Sequence, residues 1–434
     1  MTPIRKILRN AGLLFSSQIV AGIAALVQGV IIARSLGASD YGVMGVAMAY
    51  ALMVYRLFDC RVWEAITIFI PQFRQRDEHE SAEAILRFCI WIELATGFFA
   101  AAAVWLSADW AGRTIFNGSA PASVIRLAGV LVVLRIPFEI TKALLRLADR
   151  FELLAKQTAA MAVVQLLMVL VVCRIDPTVR CVLIVHLAST ALSSAIFMVT
   201  AVSIGRQLDL HILRSPRWSA LHGHWREFLS FLLLTNLNAT WRFANKLDLI
   251  ILGWFGTMSD VGIYQVARKA TQFLVLPASA LRQAIFPEMS KLAADENTDQ
   301  LKHLPLQLTR LISICIIPGC LFGTIAAPWV IPWIWGGEFA RATLLAQLLV
   351  WNALGLSLVW FQPFLLSTGR ARAVVVVQIA MSAVYVGMLV CLTHTSGAIG
   401  TAVAHIVRIP VKATLIWITL HLPIRAALRS RNQK

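Results

Sequence analysis

The chain has 434 residues, 59% of them hydrophobic and 14% charged, with a mean hydropathy of +0.74; a soluble domain carries about a quarter charged residues on its surface, so an ordinary soluble globule is excluded. An excess of 39 Lys+Arg over 22 Asp+Glu gives a formal charge of +17, which elsewhere points to nucleic acid. Here the basic residues sit between apolar runs, so they report topology and no nucleic-acid partner is expected.

A helix crossing a bilayer core needs about 20 mainly apolar residues. That ruler predicts twelve spans, at 11–33, 43–70, 88–108, 123–147, 155–175, 181–204, 228–252, 261–287, 305–327, 343–366, 372–393 and 398–420. The first run follows Arg5, Lys6 and Arg9 but is too long for a signal-peptide core and reads as a retained span. The largest polar stretches, 71–87, 205–227 and 288–304, are too short for a folded domain.

Cytoplasmic loops carry the excess of Lys and Arg. One set of span ends, from Arg5 through Arg74, Arg146, Arg214 and Arg310 to Lys434, holds 24 of them, whereas the opposite set (Arg34, Arg113, Arg126, Arg174, Arg180 and Arg341) holds six. Both termini are therefore expected in the cytoplasm. Among the seven cysteines no CxxC or Cys/His cluster occurs, so no metal site is indicated. Cys173 and Cys181, flanking the loop 174–180, are the candidate pair for a disulfide.

The chain repeats itself. Ser39-Asp40-Tyr41-Gly42-Val43-Met44-Gly45-Val46-Ala47 returns as Ser259-Asp260-Val261-Gly262-Ile263-Tyr264-Gln265-Val266-Ala267, an offset of 220. Ile70-Pro71 and Phe286-Pro287 close the second span of each copy. Six spans per half is an even number, so the halves share one orientation and the substrate path is expected between them. The expected fold is all-α: a polytopic membrane protein of about 12 transmembrane helices in two parallel six-helix lobes around a central cavity. Residues 1–204 form the first lobe, 205–227 a cytoplasmic linker, and 228–434 the second lobe with a short basic tail.

Charges inside the spans carry the chemistry, because each costs about 2.5–3.5 kcal/mol at a helix centre unless it faces protein or water. The basic ones are Arg56, Arg61, Arg135, Arg242, Lys246, Arg268, Lys269, Arg408 and Lys412; the acidic ones are Asp59, Glu64, Glu93, Glu139 and Asp248. Arg56 with Asp59 and Arg61 with Glu64 are i,i+3 pairs, and Arg135 with Glu139 is i,i+4, so these can neutralise one another on one helix face. Arg242 with Lys246 and Arg408 with Lys412 stack like charges at i,i+4, tolerated only beside water, an anion or an acid from another helix. Nine bases against five acids leave a positive interior that suits an anionic substrate. Lys246 and Lys412 also fit snorkelling to the headgroups.

No GxxxxGK[ST] loop is present, so ATP hydrolysis by this chain is not expected. His186 and His405 lie inside spans without an evident carboxylate partner and read as packed polar residues. The tryptophans at 105, 110, 254 and 329–335 read as an interfacial belt on the outer side.

The run Ile31-Ile32-Ala33-Arg34-Ser35-Leu36-Gly37-Ala38-Ser39-Asp40-Tyr41-Gly42 resembles a signature of bacterial polysaccharide exporters, the O-antigen and exopolysaccharide flippases of the multidrug/oligosaccharidyl-lipid/polysaccharide superfamily. Leu247-Asp248-Leu249-Ile250-Ile251-Leu252-Gly253 and Gly397-Ala398-Ile399-Gly400-Thr401-Ala402 resemble two more. The chain departs from many relatives at Asp59-Cys60-Arg61-Val62-Trp63-Glu64, where they carry an acidic-glycine stretch.

The resemblance implies a transporter, not an enzyme. Its task would be to move an undecaprenyl-diphosphate-linked oligosaccharide from the cytoplasmic to the periplasmic leaflet of the bacterial inner membrane by alternating access, for O-antigen, capsule or exopolysaccharide synthesis. Arg56, Arg61, Arg135, Arg242, Lys246, Arg268, Lys269 and Arg408 are then candidates to bind the diphosphate and sugar. Asp59, Glu64, Glu139 and Asp248 are candidates to carry a coupling H+ or Na+, with no other cofactor. Membrane lipids, a polysaccharide polymerase and glycosyltransferases are the expected partners. The alternatives are a lipid II flippase, a multidrug exporter of the same superfamily, or a membrane glycan polymerase or acyltransferase.

Overall fold

Inside a bilayer the backbone meets no water, so an apolar chain satisfies its N–H and C=O groups internally, as helix. The computed structural model describes residues 3–210, 223, 225–232, 247–272, 298–367 and 371–421, and among them there are helices and turns but no strand. Two compact units result, Met1–Phe243 and Ala244–Lys434.

In the first unit α1 (Pro3–Phe58) joins predicted spans one and two across a kink at Gly37, whose φ of 77° glycine adopts freely and other residues do not. Then come α2 (Val62–Gln75), α3 (His79–Trp110), α4 (Ala122–Leu134), α5 (Ile136–Leu147), α6 (Phe151–Ile175) and α7 (Val179–Gln207). Predicted spans two and four are thus each interrupted. At 59–61 the Asp59 carboxylate accepts the Arg61 backbone N–H at 3.0 Å, a local bond that competes with the helix. Arg61 turns left-handed there, at φ 50° and ψ 40°, a conformation that costs a non-glycine residue about 1–2 kcal/mol.

Span four breaks at Arg135 because Pro137 brings no N–H and disfavours helical geometry before it. A side chain takes up the freed Leu134 carbonyl, and a buried hydroxyl ties α5 to α7 beside it. Ser194 Oγ of α7 donates to the Leu134 carbonyl, and the fully buried Thr141 lies 2.7 Å from the Pro137 carbonyl and 3.0 Å from that of Phe197.

The core of this unit gathers Ile66, Phe69 and Phe73 of α2, Ile85 of α3, Leu144 of α5 and Phe197 of α7. Residues 225–232, which straddle the predicted linker and the start of span seven, pack on this core, with Phe228 5.5 Å from Phe69 and Trp225 4.6 Å from Phe88 between ring centroids. Close helix approach uses small residues, as expected where lipid removes the hydrophobic drive for association. A Cβ on Gly129 of α4 would lie 2.8 Å from Val104 Cγ1 of α3.

The second unit contains α8 (Asp248–Phe255), α9 (Met258–Gln272), α10 (Thr298–Trp335), α11 (Ala342–Val350), a 3-10 stretch (Trp351–Leu358), α12 (Phe361–Ser367) and α13 (Ala371–His421), the last kinked at Gly397. Predicted span ten is therefore interrupted too. A 3-10 run of 8 residues is unusually long, and carbonyls within it and just before it find side-chain donors. Cys320 Sγ reaches the Val350 oxygen at 3.3 Å, Thr309 Oγ1 that of Ser357 at 3.2 Å, and Lys412 Nζ that of Leu358 at 3.5 Å. Gly355, within this stretch, stands at the repeat offset of 220 from Arg135. The duplication extends to the place where the helix breaks.

Seven helical stretches among the described residues are long and apolar enough to cross a bilayer, and two of them, Phe15–Gln75 and Ala373–Thr419, are 61 and 47 residues long. At about 20 residues per crossing, each of those two holds a pair of spans. Large apolar side chains such as Leu106, Phe322 and Trp333 point outward, at 74–79% exposure, as lipid-facing residues do. Trp105, Trp110, Trp254, Trp329 and Trp333 are exposed, as a belt requires, but Trp335 is buried and belongs to the core. Cys173 and Cys181 are both free thiols, so the anticipated disulfide does not form; Cys181 Sγ lies 3.1 Å from Asp176 Oδ2 instead.

Candidate functional site

Charged side chains collect where the first unit's spans are interrupted. Arg56 Nη1 meets Asp59 Oδ2 at 2.6 Å, and Arg61 pairs with Glu64, so both i,i+3 pairs read from the sequence are formed. The third is replaced: Glu139 pairs with Lys142 at 3.1 Å, one turn on in α5. Arg135 instead sits exposed at the break between α4 and α5 and has no ion pair among the described residues. The helix no longer runs continuously between Arg135 and Glu139, so i,i+4 spacing stops being a guide.

Trp63 lies against two guanidinium groups, Arg61 at 5.7 Å and Arg146 at 5.1 Å from its ring, each contributing about 0.5–1 kcal/mol where solvated. Glu93, nearly fully buried, accepts the Tyr55 hydroxyl at 3.0 Å. Arg56 keeps 42% of its side-chain surface exposed.

The second unit has a tighter cluster. Asp248 opens α8 with no exposed surface, and each carboxylate oxygen accepts two bonds. Oδ1 takes its neighbour's backbone N–H at 3.0 Å and Arg268 Nη1 at 2.9 Å; Oδ2 takes the Tyr264 hydroxyl at 2.9 Å and His405 Nε2 at 3.2 Å. A carboxylate offers about four lone-pair sites, so Asp248 is saturated. The Tyr385 hydroxyl lies 3.1 Å from the same His405 nitrogen, and Arg408 stands 5.1 Å over the Tyr385 ring. Arg408 also reaches Asn352 at 3.4 Å. Lys269 is half-buried beside Arg268 on α9. Arg242 and Lys246 lie outside the described residues.

His405 therefore does have a carboxylate partner, contrary to the reading of it as a lone packed histidine. Its counterpart His186 fits that reading: it is buried, with ring nitrogens 3.2 Å from the amide of Gln28 and 2.7 Å from that of Gln165. The repeat offset relates these sites. Gln28 and Gln165 stand 220 positions before Asp248 and Tyr385, and Met44 and Met48 stand 220 before Tyr264 and Arg268. The register of the repeat was legible in the sequence. That Gln28 and Gln165 bond His186 while Asp248 and Tyr385 bond His405 was not, because those contacts join distant spans.

A family model described as a polysaccharide biosynthesis protein matches residues 13–344. A probable flippase, AglR, of Haloferax volcanii is 35% identical over 107 residues, covering 24% of this chain and 22% of that protein's length. Among solved structures, the lipid II flippase MurJ in an inward closed conformation superposes with a TM-score of 0.70 at 13% identity, over 96% of this chain and 89% of that one. An inward-facing multidrug-resistance MATE transporter of the MOP superfamily gives 0.68 at 14% identity, over 92% and 94%. Similarity of this kind at such low identity establishes the fold: two lobes and 12 membrane helices.

Proposed function

The chain belongs to the polysaccharide biosynthesis protein family, and from that membership we propose that it is a flippase for an anionic lipid-linked glycan. In this reading an oligosaccharide on undecaprenyl diphosphate passes from the cytoplasmic to the periplasmic leaflet of the bacterial inner membrane by alternating access, with both termini in the cytoplasm. The product feeds O-antigen, capsule or exopolysaccharide assembly. Glycosyltransferases supply the substrate and a polymerase consumes it.

The observation that carries the reading is the way the guanidinium groups are held. Arg56, Arg61 and Arg268 each meet a carboxylate through one terminal nitrogen. Arg56 and Arg268 keep 42% and 36% of their side-chain surface exposed, and Arg135 stands exposed at a helix break. Turned to lipid, such groups would be among the costliest residues in the chain; turned to a diphosphate, the planar fork binds two oxygens at once. Lys269 and Arg408, with Arg242 and Lys246, extend the basic set. Uptake of H+ or Na+ near Asp59, Glu64, Glu139 or Asp248 supplies the drive.

A cation-expelling drug exporter would call for carboxylates in place of these bases, and a glycan polymerase or acyltransferase for a reactive centre. The named relatives are transporters and flippases. Translocation of a fluorescent undecaprenyl-diphosphate oligosaccharide in proteoliposomes tests the proposal. The double variant Arg135→Glu, Arg268→Glu is expected to lose about 90% or more of the rate, the equivalent of about 1.4 kcal/mol; an unchanged rate would refute the assignment. The fold similarity to MurJ keeps lipid II as a second substrate reading. Gene loss that kills the cell supports lipid II, and loss that strips surface polysaccharide supports the first.

A further inference from the structure

The two buried histidines allow an internal comparison. His186 has an amide at each ring nitrogen. His405, 219 positions on, uses Nε2 for both its partners, and its Nδ1 is buried with no hydrogen-bond partner. His405 itself is 7% exposed. The first-unit site sets the uncharged amides of Gln28 and Gln165 against its ring. The second places a carboxylate, a guanidinium and two phenols around the same ring.

The charged and titratable groups facing His405 are Asp248 from α8, Tyr264 and Arg268 from α9, Tyr385 from the first arm of α13, and Arg408 one turn along its own helix. Asp248 has four donors on four lone-pair sites, so an alkali cation would have to displace Arg268 to bind there. A proton need displace nothing, because the Nδ1 lone pair of His405 is the vacant acceptor of the cluster.

We propose that His405 is the proton-binding site that drives transport, and that its protonation transfers Arg268 from Asp248 to the anionic ligand. This rests on the flippase reading above. A proton from water adds to the Nδ1 lone pair, no other covalent bond breaks, and the cluster gains one positive charge. The Nε2–H bond to Asp248 then joins two ions and strengthens. His405 and Arg268 then repel as like charges across one carboxylate. Arg268, with 36% of its side-chain surface exposed against 8% for His405, is the member with room to leave. The departing guanidinium binds a diphosphate bidentately, and loss of the proton reverses the sequence.

The test is 15N NMR of histidine-labelled full-length protein in nanodiscs, followed from about pH 5.5 to about pH 8.5, the range over which imidazole changes charge. His405→Gln and His186→Gln assign the two signals, and the comparison itself is made within the wild-type protein. The expected result is that His405 passes from neutral to protonated while His186 stays neutral. A His405 neutral throughout, or a His186 that titrates alongside it, overturns the proposal.

Binding of a short-chain polyprenyl-diphosphate N-acetylglucosamine is measured over the same range, since its diester does not titrate there. Wild-type affinity should rise about tenfold toward acid, and that of His405→Gln by less than about twofold. A titrating His405 with pH-independent binding overturns the transfer of Arg268. A titrating His405 with no diphosphate binding at any pH overturns the flippase reading and the transfer together, and supports the proton site alone.

Discussion

Asp248 and Glu139 show how the same residue chemistry differs with burial. Asp248 has no exposed surface, although its partner Arg268 keeps 36% of its side chain exposed, whereas Glu139 and Lys142 are both part-exposed, at 40% and 32%. Removing Asp248 strands the buried Tyr264 hydroxyl and His405 imidazole that meet it, at about 1–3 kcal/mol for each unsatisfied group, while an exposed pair is worth about 0–1 kcal/mol. Asp248→Ala should therefore lower the thermal midpoint in detergent sharply, and Glu139→Ala should leave it nearly in place; equal shifts would contradict the geometry. The sequence showed Asp248 as an isolated acid in a basic set. It concealed the fourfold coordination, because His405 lies 157 residues away and Arg268 lies 20. Local ion pairs at 56–59 and 61–64 were legible because both partners share one stretch of chain.

At the level of elements, the interruptions depend on side chains that occupy carbonyls the helix has released. Thr141 of α5, without exposure, lies within hydrogen-bond reach of the Pro137 carbonyl and of the Phe197 carbonyl of α7, so Thr141→Val should destabilise the first unit by about 0.5–1.5 kcal/mol, the net worth of one hydrogen bond. Thermal unfolding in detergent would measure it, and no shift would show that this hydroxyl adds nothing to the packing of α5 on α7. Helix ends give the opposite sign. Asp77 and Asp209 adopt φ of 58° and 48° just past α2 and α7, where glycine is the usual residue. Asp77→Gly and Asp209→Gly should each raise stability by about 0.5–1 kcal/mol. Pro137 stands beside one break, but the run 123–147 is apolar enough that it reads as a single span. The turn at Asp59 and the 3-10 stretch did not announce themselves, since both lie in runs apolar enough to read as uninterrupted spans.

Across the whole molecule the apolar ruler and the six-plus-six repeat led to the same all-α, two-lobed membrane fold that the structural relatives show. Hydropathy suffices there because a spanning backbone has so few options. The imbalance of 24 basic residues against six adds a sidedness that labelling can check. In a cysteine-free background, Ser119→Cys and Gly336→Cys should react with a membrane-impermeant maleimide in intact spheroplasts. Asp77→Cys and Asp149→Cys should react only after permeabilisation, and the reverse pattern would invert the topology.

The paired histidine sites have a further consequence. At the repeat offset the two copies differ in kind: amide against acid at 28 and 248, thioether against phenol at 44 and 264, thioether against guanidine at 48 and 268. An engineer wanting an acid against the first unit's histidine would start at Gln28, whose side chain already meets that ring, with Gln28→Glu as the near-isosteric change.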